Sequence, residues 1–317
     1  MKSMAVVMER PEHLVLSPLD LSEPADEDLV VDVEWSGIST GTERLLWTGD
    51  MPVFPGMGYP LVPGYESVGR VSSAGPKAGF EVGQRVFVPG ANCFGPVRGL
   101  FGGAASRLVV PGSRVFGIDE TLGEGAVLLA LAATAYHAVT GGGTRDPISP
   151  PDLIVGHGVL GRLLARMTVL GDYPVPTVWE SNPQRMDGAL GYPVVRPEDD
   201  PRRDYRAIYD VSGDAAILDA LIQRLAPGGE IVLAGFYSKP LSFNFAPAFM
   251  REASIRAAAE WKRADMQVVK ELAECGLLPL ADLITHHEVA THAPEAYRTA
   301  FGDAQCLKMV LDWRTLS

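Results

Sequence analysis

The chain has 317 residues, of which 47% are hydrophobic and 21% are charged, values typical of a globular protein with a sizeable core. This length favours two domains over one. The formal net charge of -12 argues against broad electrostatic binding to nucleic acid or to anionic lipid. The three cysteines share no CxxC spacing, which argues against both a disulfide framework and a cysteine metal cluster.

The first part of the chain is predicted to be a β-rich domain at residues 1–118. Short segments rich in valine, or alternating apolar and polar residues, are separated by Pro-Gly turns. They predict strands at residues 4–8, 29–35, 67–72, 85–88 and 106–110.

A long apolar run at residues 122–140 predicts a buried helix. Its longest uninterrupted apolar stretch, residues 126–135, is far shorter than the roughly 20 residues that a membrane helix needs. The N-terminal segment has no signal-peptide core. We therefore expect a soluble, cytoplasmic protein without an integral membrane segment.

The second part alternates strand and helix signals, which predicts an α/β fold with a doubly wound parallel sheet. We place this Rossmann domain at residues 119–262, and a return to the first domain at residues 263–317. Strands are predicted at residues 152–155, 177–180, 207–211 and 230–234, and helices at 159–170, 217–225 and 264–275.

The strongest local signal is a G-x-G-x-x-G motif between the predicted strand at 152–155 and the helix that follows it. Such glycines allow a tight turn, a close approach of the backbone to a pyrophosphate, and close helix–strand packing. The helix N-terminus supplies free N–H groups for the phosphates. The cofactor-binding residues predicted here are Gly156, His157, Gly158, Val159, Leu160 and Gly161. The alternative is a plain strand–helix turn.

Glu180 lies 19 residues after Gly161, where the second strand of the sheet should end. A carboxylate there accepts hydrogen bonds from ribose hydroxyls and repels a ribose phosphate, so we predict NAD rather than NADP as the cofactor. Arg185 could soften this preference, and a solvated charge at a strand end is the alternative interpretation. Ser212, Gly213 and Gly235 end two further strands and are predicted to border the same crevice, unless they are only turn residues.

A β-rich first part, a G-x-G-x-x-G domain and a short return resemble the medium-chain dehydrogenase/reductase superfamily over essentially the whole chain. The resemblance implies a GroES-like catalytic domain joined to a Rossmann domain. It rests on residues 36–39 (SGIS), 63–66 (PGYE), 81–86 (EVGQRV), 132–138 (AATAYHA) and 308–311.

The positions of the zinc ligands in zinc-dependent members of this superfamily are occupied here by Ser39, Tyr65 and Ala130. A neutral hydroxyl or phenol is a poor substitute for a thiolate or an imidazole. The adjacent His286 and His287 would point to opposite faces of a strand and form a poor chelate. We therefore expect no metal site.

Longer blocks resemble the bacteriochlorophyllide a dehydrogenase family. They lie at residues 37–49, 51–66, 87–105 and 153–166. The resemblance implies NAD-dependent oxidation of the ring-A 1-hydroxyethyl group of bacteriochlorophyllide to acetyl, a step of bacteriochlorophyll biosynthesis. The superfamily resemblance also implies a homodimer that pairs through an edge strand of the cofactor sheet. A zinc-free quinone or enoyl reductase that uses NADPH, and a non-catalytic pigment carrier, remain alternatives.

Without zinc, a side chain must take the hydroxyl proton. Ser39 and Tyr65 should border the reacting carbon, although Tyr65 would need a lowered pKa to act as a base. Thr42 and His137 are further catalytic candidates. A core-packing tyrosine and a structural helix histidine are the alternatives.

The superfamily resemblance implies two further cofactor contacts, Thr134 beside the nicotinamide and Lys308 at the pyrophosphate, although a solvated lysine at a strand start is as good an interpretation of Lys308. A flat macrocycle needs a wide apolar cleft. We predict that Trp47, Phe54 and Phe101 line it, unless they only fill a core. Arg44 and Arg98 are candidates to pair with the propionate group of the substrate.

Overall fold

The computed structural model describes residues 1–144 and 148–316. The chain forms two compact units, one made of Met1–Ala130 with Pro279–Ser317 and the other of Leu131–Leu278. The domain boundaries predicted after residues 118 and 262 lie 12 and 16 residues before the boundaries between the two units in the structure. The helical segment Glu120–Leu128 packs on strands of the first unit, and the helix after residue 262 is tied to the second unit by a buried hydrogen bond between His137 and Asp265.

The first unit begins with nine strands and one short helix. In chain order these are β1 (Lys2–Arg10), β2 (His13–Asp20), β3 (Asp28–Ile38), α1 (Thr42–Thr48), β4 (Leu61–Val62), β5 (Ser67–Ala74), β6 (Arg85–Val88), β7 (Arg98–Gly99), β8 (Arg107–Pro111) and β9 (Phe116–Gly117). The valine-rich strands bury apolar side chains such as Val31 and Val33 against one another, and these side chains form the core of this unit.

The second unit alternates helices and strands, as predicted. Its elements are α2 (Leu129–Thr140, which begins at the unit boundary), β10 (Leu153–Val155), α3 (Val159–Leu170), β11 (Thr177–Trp179), β12 (Val194–Val195), β13 (Tyr205–Asp210), α4 (Leu218–Arg224), β14 (Leu225–Leu233), α5 (Phe245–Met250), β15 (Ser254–Ala257) and α6 (Arg263–Glu274). The strands form one parallel six-stranded sheet in the order β12-β11-β10-β13-β14-β15. The predicted α/β fold class is confirmed.

This sheet has its topological switch point at β10, because β11 follows on one side of it and β13 on the other. Parallel sheets bind ligands at the carboxyl ends of the strands next to such a point. All three residues of β10 are buried, as expected for a central strand covered on both faces. The carboxyl edge beside β10 is therefore where a cofactor is expected.

The chain then returns to the first unit with β16 (His286–Val289), α7 (Ala293–Gly302) and β17 (Met309–Asp312). β17 pairs antiparallel with the end of β3, placing Met309 opposite Ile38. The resulting sheet contains β16-β17-β3-β5-β6-β9, with β8 also paired to β3, and a second sheet has the order β2-β1-β4-β7. The return brings residues from both ends of the chain beside β3.

Within the described residues, one helical stretch, Glu120–Thr140, is long and apolar enough to span a membrane. Of its most apolar window, 61% is buried inside the protein, as in core helices of soluble proteins. The stretch is also broken at Gly123, whose backbone is not helical. It is therefore weak evidence for a membrane span.

Candidate active site

The glycine loop connects β10 to α3, and each of its three glycines suits its position for a different physical reason. Gly156 adopts φ +108°, which a side chain would strain. A Cβ on Gly161 would lie 1.9 Å from the carbonyl oxygen of Gly156, so close packing requires this glycine. A Cβ on Gly158 would meet no protein atom within 4 Å. Gly158 thus faces open space at the N-terminus of α3, as a pyrophosphate site requires.

The remaining residues of the glycine loop differ in how deeply they are buried. Val159 is the buried first residue of α3, and Leu160 is partly exposed. The imidazole of His157 is buried and does not face solvent. Its backbone N–H, in contrast, donates to the carboxylate of Glu180 at 3.1 Å.

Glu180 comes directly after β11, at the carboxyl edge of the sheet. Its Oε2 accepts the N–H of His157, and its Oε1 accepts the N–H of Asn182 at 2.7 Å. A carboxylate has about four lone-pair sites, so each oxygen can accept a further hydrogen bond. The two N–H groups therefore orient a carboxylate that can still accept hydroxyl hydrogens.

The other predicted strand ends meet this loop. A Cβ on Gly156 would lie 3.5 Å from the nitrogen of Ser212, and a Cβ on Gly235 would lie 3.3 Å from the nitrogen of Gly213. The structure therefore brings the three loops together at one edge of the sheet.

Asp210, which sequence reasoning overlooked, organises two of these loops. This buried residue ends β13, and its carboxylate accepts the hydroxyl groups of Ser212 and Tyr237, each at 2.7 Å. Burial raises the pKa of Asp210. An acidic residue at the end of a mostly apolar strand was the available signal.

Two predicted residues lie on α2. Thr134 is partly buried. His137 is buried, and its Nδ1 lies 2.8 Å from the carboxylate of Asp265, which also accepts the N–H of Lys262 at the start of α6. His137 therefore ties α2 to α6. We assign it this structural role instead of the predicted catalytic one.

Ser39 and Tyr65 form a hydrogen-bonded pair in the first unit. Ser39 follows β3, and Tyr65 lies between β4 and β5. The phenol donates to Oγ of Ser39 at 2.6 Å, and the side chain of Thr42, at the start of α1, also hydrogen-bonds to it. Burial, together with the nearby charges of Glu66 and Glu43, raises the pKa of Tyr65 well above its usual value. The lowered pKa that a tyrosine base needs is therefore absent.

Glu43 lies behind this pair and is fully buried. Its Oε1 accepts the N–H of Ser39 at 3.0 Å, and its Oε2 accepts the hydroxyl of Tyr297 at 2.7 Å. Burial raises the pKa of Glu43 to about 7. Its carboxyl group therefore changes charge near neutral pH.

Lys308 occupies a different place from the one predicted. It comes immediately before β17, whose pairing with β3 directs the ammonium group into the first unit. There it donates to Glu66 at 2.6 Å and to the carbonyl of Ile38 at 3.2 Å. The side chain is only 1% exposed. Lys308 thus neutralises a buried carboxylate, and we do not assign it to the pyrophosphate.

One of the predicted substrate residues contacts Tyr65, and a second one lies close to it in the chain. The ring of Phe101 contacts that of Tyr65 edge to face, with centroids 5.6 Å apart, and it is 38% exposed. Arg98 is exposed on β7, three residues earlier, and donates to the carbonyl of Tyr59 at 3.3 Å.

For the other three predicted substrate residues, no contact with Tyr65 or Phe101 is seen among the described residues. Trp47 packs on Phe301, and Phe54 packs against the core of the first unit, so both are partly buried. Arg44 is exposed on α1. Phe101 and Arg98 are therefore the better placed substrate candidates.

Three positions that the superfamily resemblance predicts for zinc ligands offer poor donors here. Ser39 and Tyr65 are hydrogen-bonded to each other, and Ala130 is a buried methyl group. In residues 1–144 and 148–316, no group of three or more His, Cys, Asp or Glu side chains could hold a metal ion. The donor set does not fit zinc.

Comparisons with known proteins identify the family. Residues 25–120 match the alcohol dehydrogenase GroES-like domain. The chain is 56% identical over 319 residues to 2-desacetyl-2-hydroxyethyl bacteriochlorophyllide A dehydrogenase of Cereibacter sphaeroides, and 56% identical over 315 residues to the protein of that name from Rhodobacter capsulatus. Each alignment covers 99% of both chains.

The structure of 2R,3R-butanediol dehydrogenase from Bacillus subtilis has the same fold, with a TM-score of 0.83, 18% identity and coverage of 98% of this chain and 99% of that one. The full-length identity to the two bacterial enzymes confirms the predicted resemblance. The chain therefore belongs to the family of 2-desacetyl-2-hydroxyethyl bacteriochlorophyllide A dehydrogenases, oxidoreductases that act on a CH–OH group.

Proposed function

We propose that this protein oxidises the 1-hydroxyethyl group on ring A of a bacteriochlorophyllide to an acetyl group, using NAD and no metal ion. The observation that carries the proposal is the 56% identity to enzymes named for this substrate, maintained over 99% of the chain. Both compact units are therefore shared with those enzymes.

The choice of NAD is supported by the second unit. Bound NAD would supply the hydride acceptor. The open space at Gly158 would admit its pyrophosphate, and Glu180 would accept its ribose hydroxyls. A phosphate on that ribose would meet the Glu180 carboxylate, which disfavours NADP.

Zinc independence is supported by the chemistry of Ser39 and Tyr65. A metal ligand must be deprotonated or carry a free lone pair directed at the ion. The raised pKa of Tyr65 keeps its phenol protonated, and this proton is directed at Ser39. No step of the reaction is therefore assigned to a metal.

The proton of the substrate hydroxyl is proposed to move along this pair. The phenol oxygen of Tyr65 accepts the substrate proton while its own proton passes to Oγ of Ser39, and Ser39 releases its hydroxyl proton to water in the same step, so neither hydroxyl needs to ionise first. The buried Glu43 accepts the backbone N–H of Ser39 and so helps to hold Ser39 in place beside Tyr65. Bound NAD would supply the acceptor for the hydride of the same alcohol, and this transfer would complete the oxidation.

Arg98 is proposed to pair with the propionate of the substrate, because it is exposed and lies close in sequence to Phe101, which contacts Tyr65. Arg98→Ala should weaken binding of the free-acid pigment about tenfold, as for loss of one charge-assisted hydrogen bond. Binding of the esterified pigment should not change. Arg44→Ala is the matched control, and equal loss for both pigments would reject the assignment.

We also propose a cytoplasmic homodimer with no nucleic-acid partner. The position of β15 at the edge of the six-stranded sheet supports pairing through that strand, and the net charge of -12 disfavours nucleic acid. Light scattering of the purified protein would give the mass of a dimer, whereas a monomer mass would reject this part.

The test of the function mixes purified protein, NAD and hydroxyethyl bacteriochlorophyllide. We expect the pigment absorption to shift as NADH forms in equal amount, with metal content far below one per chain. Tight pigment binding without NADH formation would instead identify a carrier. Turnover of quinones or enones with NADPH alone would identify a reductase.

A further inference from the structure

His157 connects the glycine loop to the segment that follows Glu180. Nδ1 of its ring lies 2.6 Å from the carbonyl oxygen of Arg185, and Nε2 lies 3.0 Å from the hydroxyl of Tyr192. A carbonyl only accepts, so Nδ1 carries the proton and donates, and Nε2 accepts from the tyrosine. The two rings also meet edge to face, with centroids 5.7 Å apart.

The imidazole is suited to this role because it stays neutral. The side chain is 0% exposed, and burial lowers the pKa of His157 to about 4. At neutral pH the ring therefore presents one donor and one acceptor, which match its two partners. A charged imidazolium would direct a second donor at Tyr192.

The main chain of the same residue holds Glu180. Its N–H donates to Oε2 of the carboxylate, while the N–H of Asn182 donates to Oε1. His157 thus contacts the predicted ribose-binding carboxylate through its backbone and the segment at Arg185 through its ring.

Arg162 on α3 reinforces this connection. Its guanidinium donates to the carbonyl of His157 at 3.1 Å, to that of Arg185 at 3.2 Å and to that of Asp187 at 2.7 Å. The side chain is only 8% exposed. Its positive charge is therefore used to hold backbone carbonyls together rather than presented to a ligand.

We propose that His157 is a positioning residue that sets the preference for NAD over NADP, by holding the Glu180 segment against the glycine loop. This inference rests on the proposed function, because it concerns the cofactor proposed there. A carboxylate discriminates a ribose hydroxyl from a ribose phosphate only if its distance from the ribose is fixed. The contacts of His157 with Glu180 and with the carbonyl of Arg185 hold the carboxylate in place, and this fixes its distance from the ribose.

The experiment measures dissociation constants of NADH and NADPH by cofactor fluorescence, with no pigment present. His157→Leu keeps an apolar side chain but removes the donor and the acceptor. We expect NADH binding to weaken about tenfold, as for a lost buried hydrogen bond. NADPH binding should change less, so that the preference for NADH falls.

His157→Asn is the matched variant, because its amide N–H lies near the place of Nδ1–H and can still donate to Arg185. It should keep most of the wild-type preference. If His157→Leu does not fold, His157→Gln replaces it, since the longer side chain carries its amide near the place of Nε2 and loses the donor to Arg185. A fall in preference is expected for the glutamine variant as well.

Two results would overturn the inference. One is a folded leucine or glutamine variant with the wild-type ratio of NADH to NADPH affinity. The other is an equal loss of both affinities, which indicates a purely structural role. If the wild-type protein binds neither cofactor, or prefers NADPH, the cofactor part of the proposed function fails, and this outcome is seen before any variant is made.

Discussion

At the residue scale, Tyr65 and Ser39 are the side chains on which the proposed chemistry depends. The phenol is protonated and donates to Ser39, while its edge-to-face contact with Phe101 fixes the plane of the ring. A tyrosine with a raised pKa is a poor base alone, but it can accept a proton if it releases its own in the same step. The hydroxyl pair therefore acts as a unit.

Tyr65→Phe removes the hydroxyl and keeps the ring contact with Phe101. We expect kcat to fall by about 10²-fold or more, the usual contribution of a positioned proton-transfer group, with NADH affinity unchanged. Ser39→Ala should give a similar loss, and the double variant should lose little more than either single one, because both act in one relay. A Tyr65→Phe enzyme with wild-type kcat would contradict the relay.

Glu43 predicts a pH dependence of stability. Its pKa is raised from 4.5 to about 7, so the folded protein binds this proton more tightly than the unfolded chain does. The corresponding stability is fully present below pH 4.5 and is lost as the pH rises through about 7. The loss amounts to about 3 kcal/mol in the free energy of unfolding.

Glu43→Gln should therefore be more stable than the wild type at pH 8. Its free energy of unfolding should also change much less with pH than that of the wild type, so that most of this slope disappears. Urea unfolding at pH 5 and pH 8 would measure it. The groups facing Glu43 are Tyr297, Tyr65, Glu66 and Lys308, and they stay in place in this variant. The matched control is Glu81→Gln, at an exposed position. Equal slopes for wild type and Glu43→Gln would show that Glu43 is already ionised at pH 5.

At the element scale, the strand–loop–helix unit around the glycine loop was predictable because its signals are local. β10, the three glycines and α3 follow one another in the chain, and Glu180 follows β11 as expected. The short strands β12 and β15 and the helix α5 were not predicted, because two to six residues carry too little periodicity to indicate an element.

The glycine loop also gives an element-scale prediction. A methyl group at Gly158 meets no protein atom, whereas one at Gly161 would clash with the carbonyl of Gly156. Gly158→Ala should keep the wild-type melting temperature but weaken NADH binding about tenfold or more, because the methyl group occupies the pyrophosphate site.

Gly161→Ala, in contrast, should destabilise the protein by about 1–3 kcal/mol through overpacking. Thermal unfolding and NADH titration of both variants separate the two effects. Strong NADH binding by Gly158→Ala would show that the space in front of α3 does not hold the pyrophosphate.

At the scale of the whole molecule, the contacts that sequence reasoning missed are those between distant parts of the chain. Lys308 and Glu66 are 242 residues apart, and Tyr297 and Glu43 are 254 residues apart. Motif spacing cannot indicate such pairs, because they depend on the return of β17 and α7 to the first unit. Buried acidic residues beside the family motifs, at Glu43 and Glu66, were the only sequence signal.

The same long-range arrangement leads to the last prediction, which concerns metal removal. In the first unit Lys308 already pairs with Glu66, and Tyr65 donates to Ser39, so among the residues that the structure describes no group of anionic donors needs a cation for stability. Prolonged dialysis against a zinc chelator should therefore change neither the melting temperature nor the rate of NAD reduction with the pigment alcohol. A zinc-dependent alcohol dehydrogenase treated in parallel should lose activity and regain it when zinc is added. Loss of turnover in the present protein, restored by one equivalent of zinc, would instead establish a metal site and remove the hydroxyl relay as the explanation of catalysis.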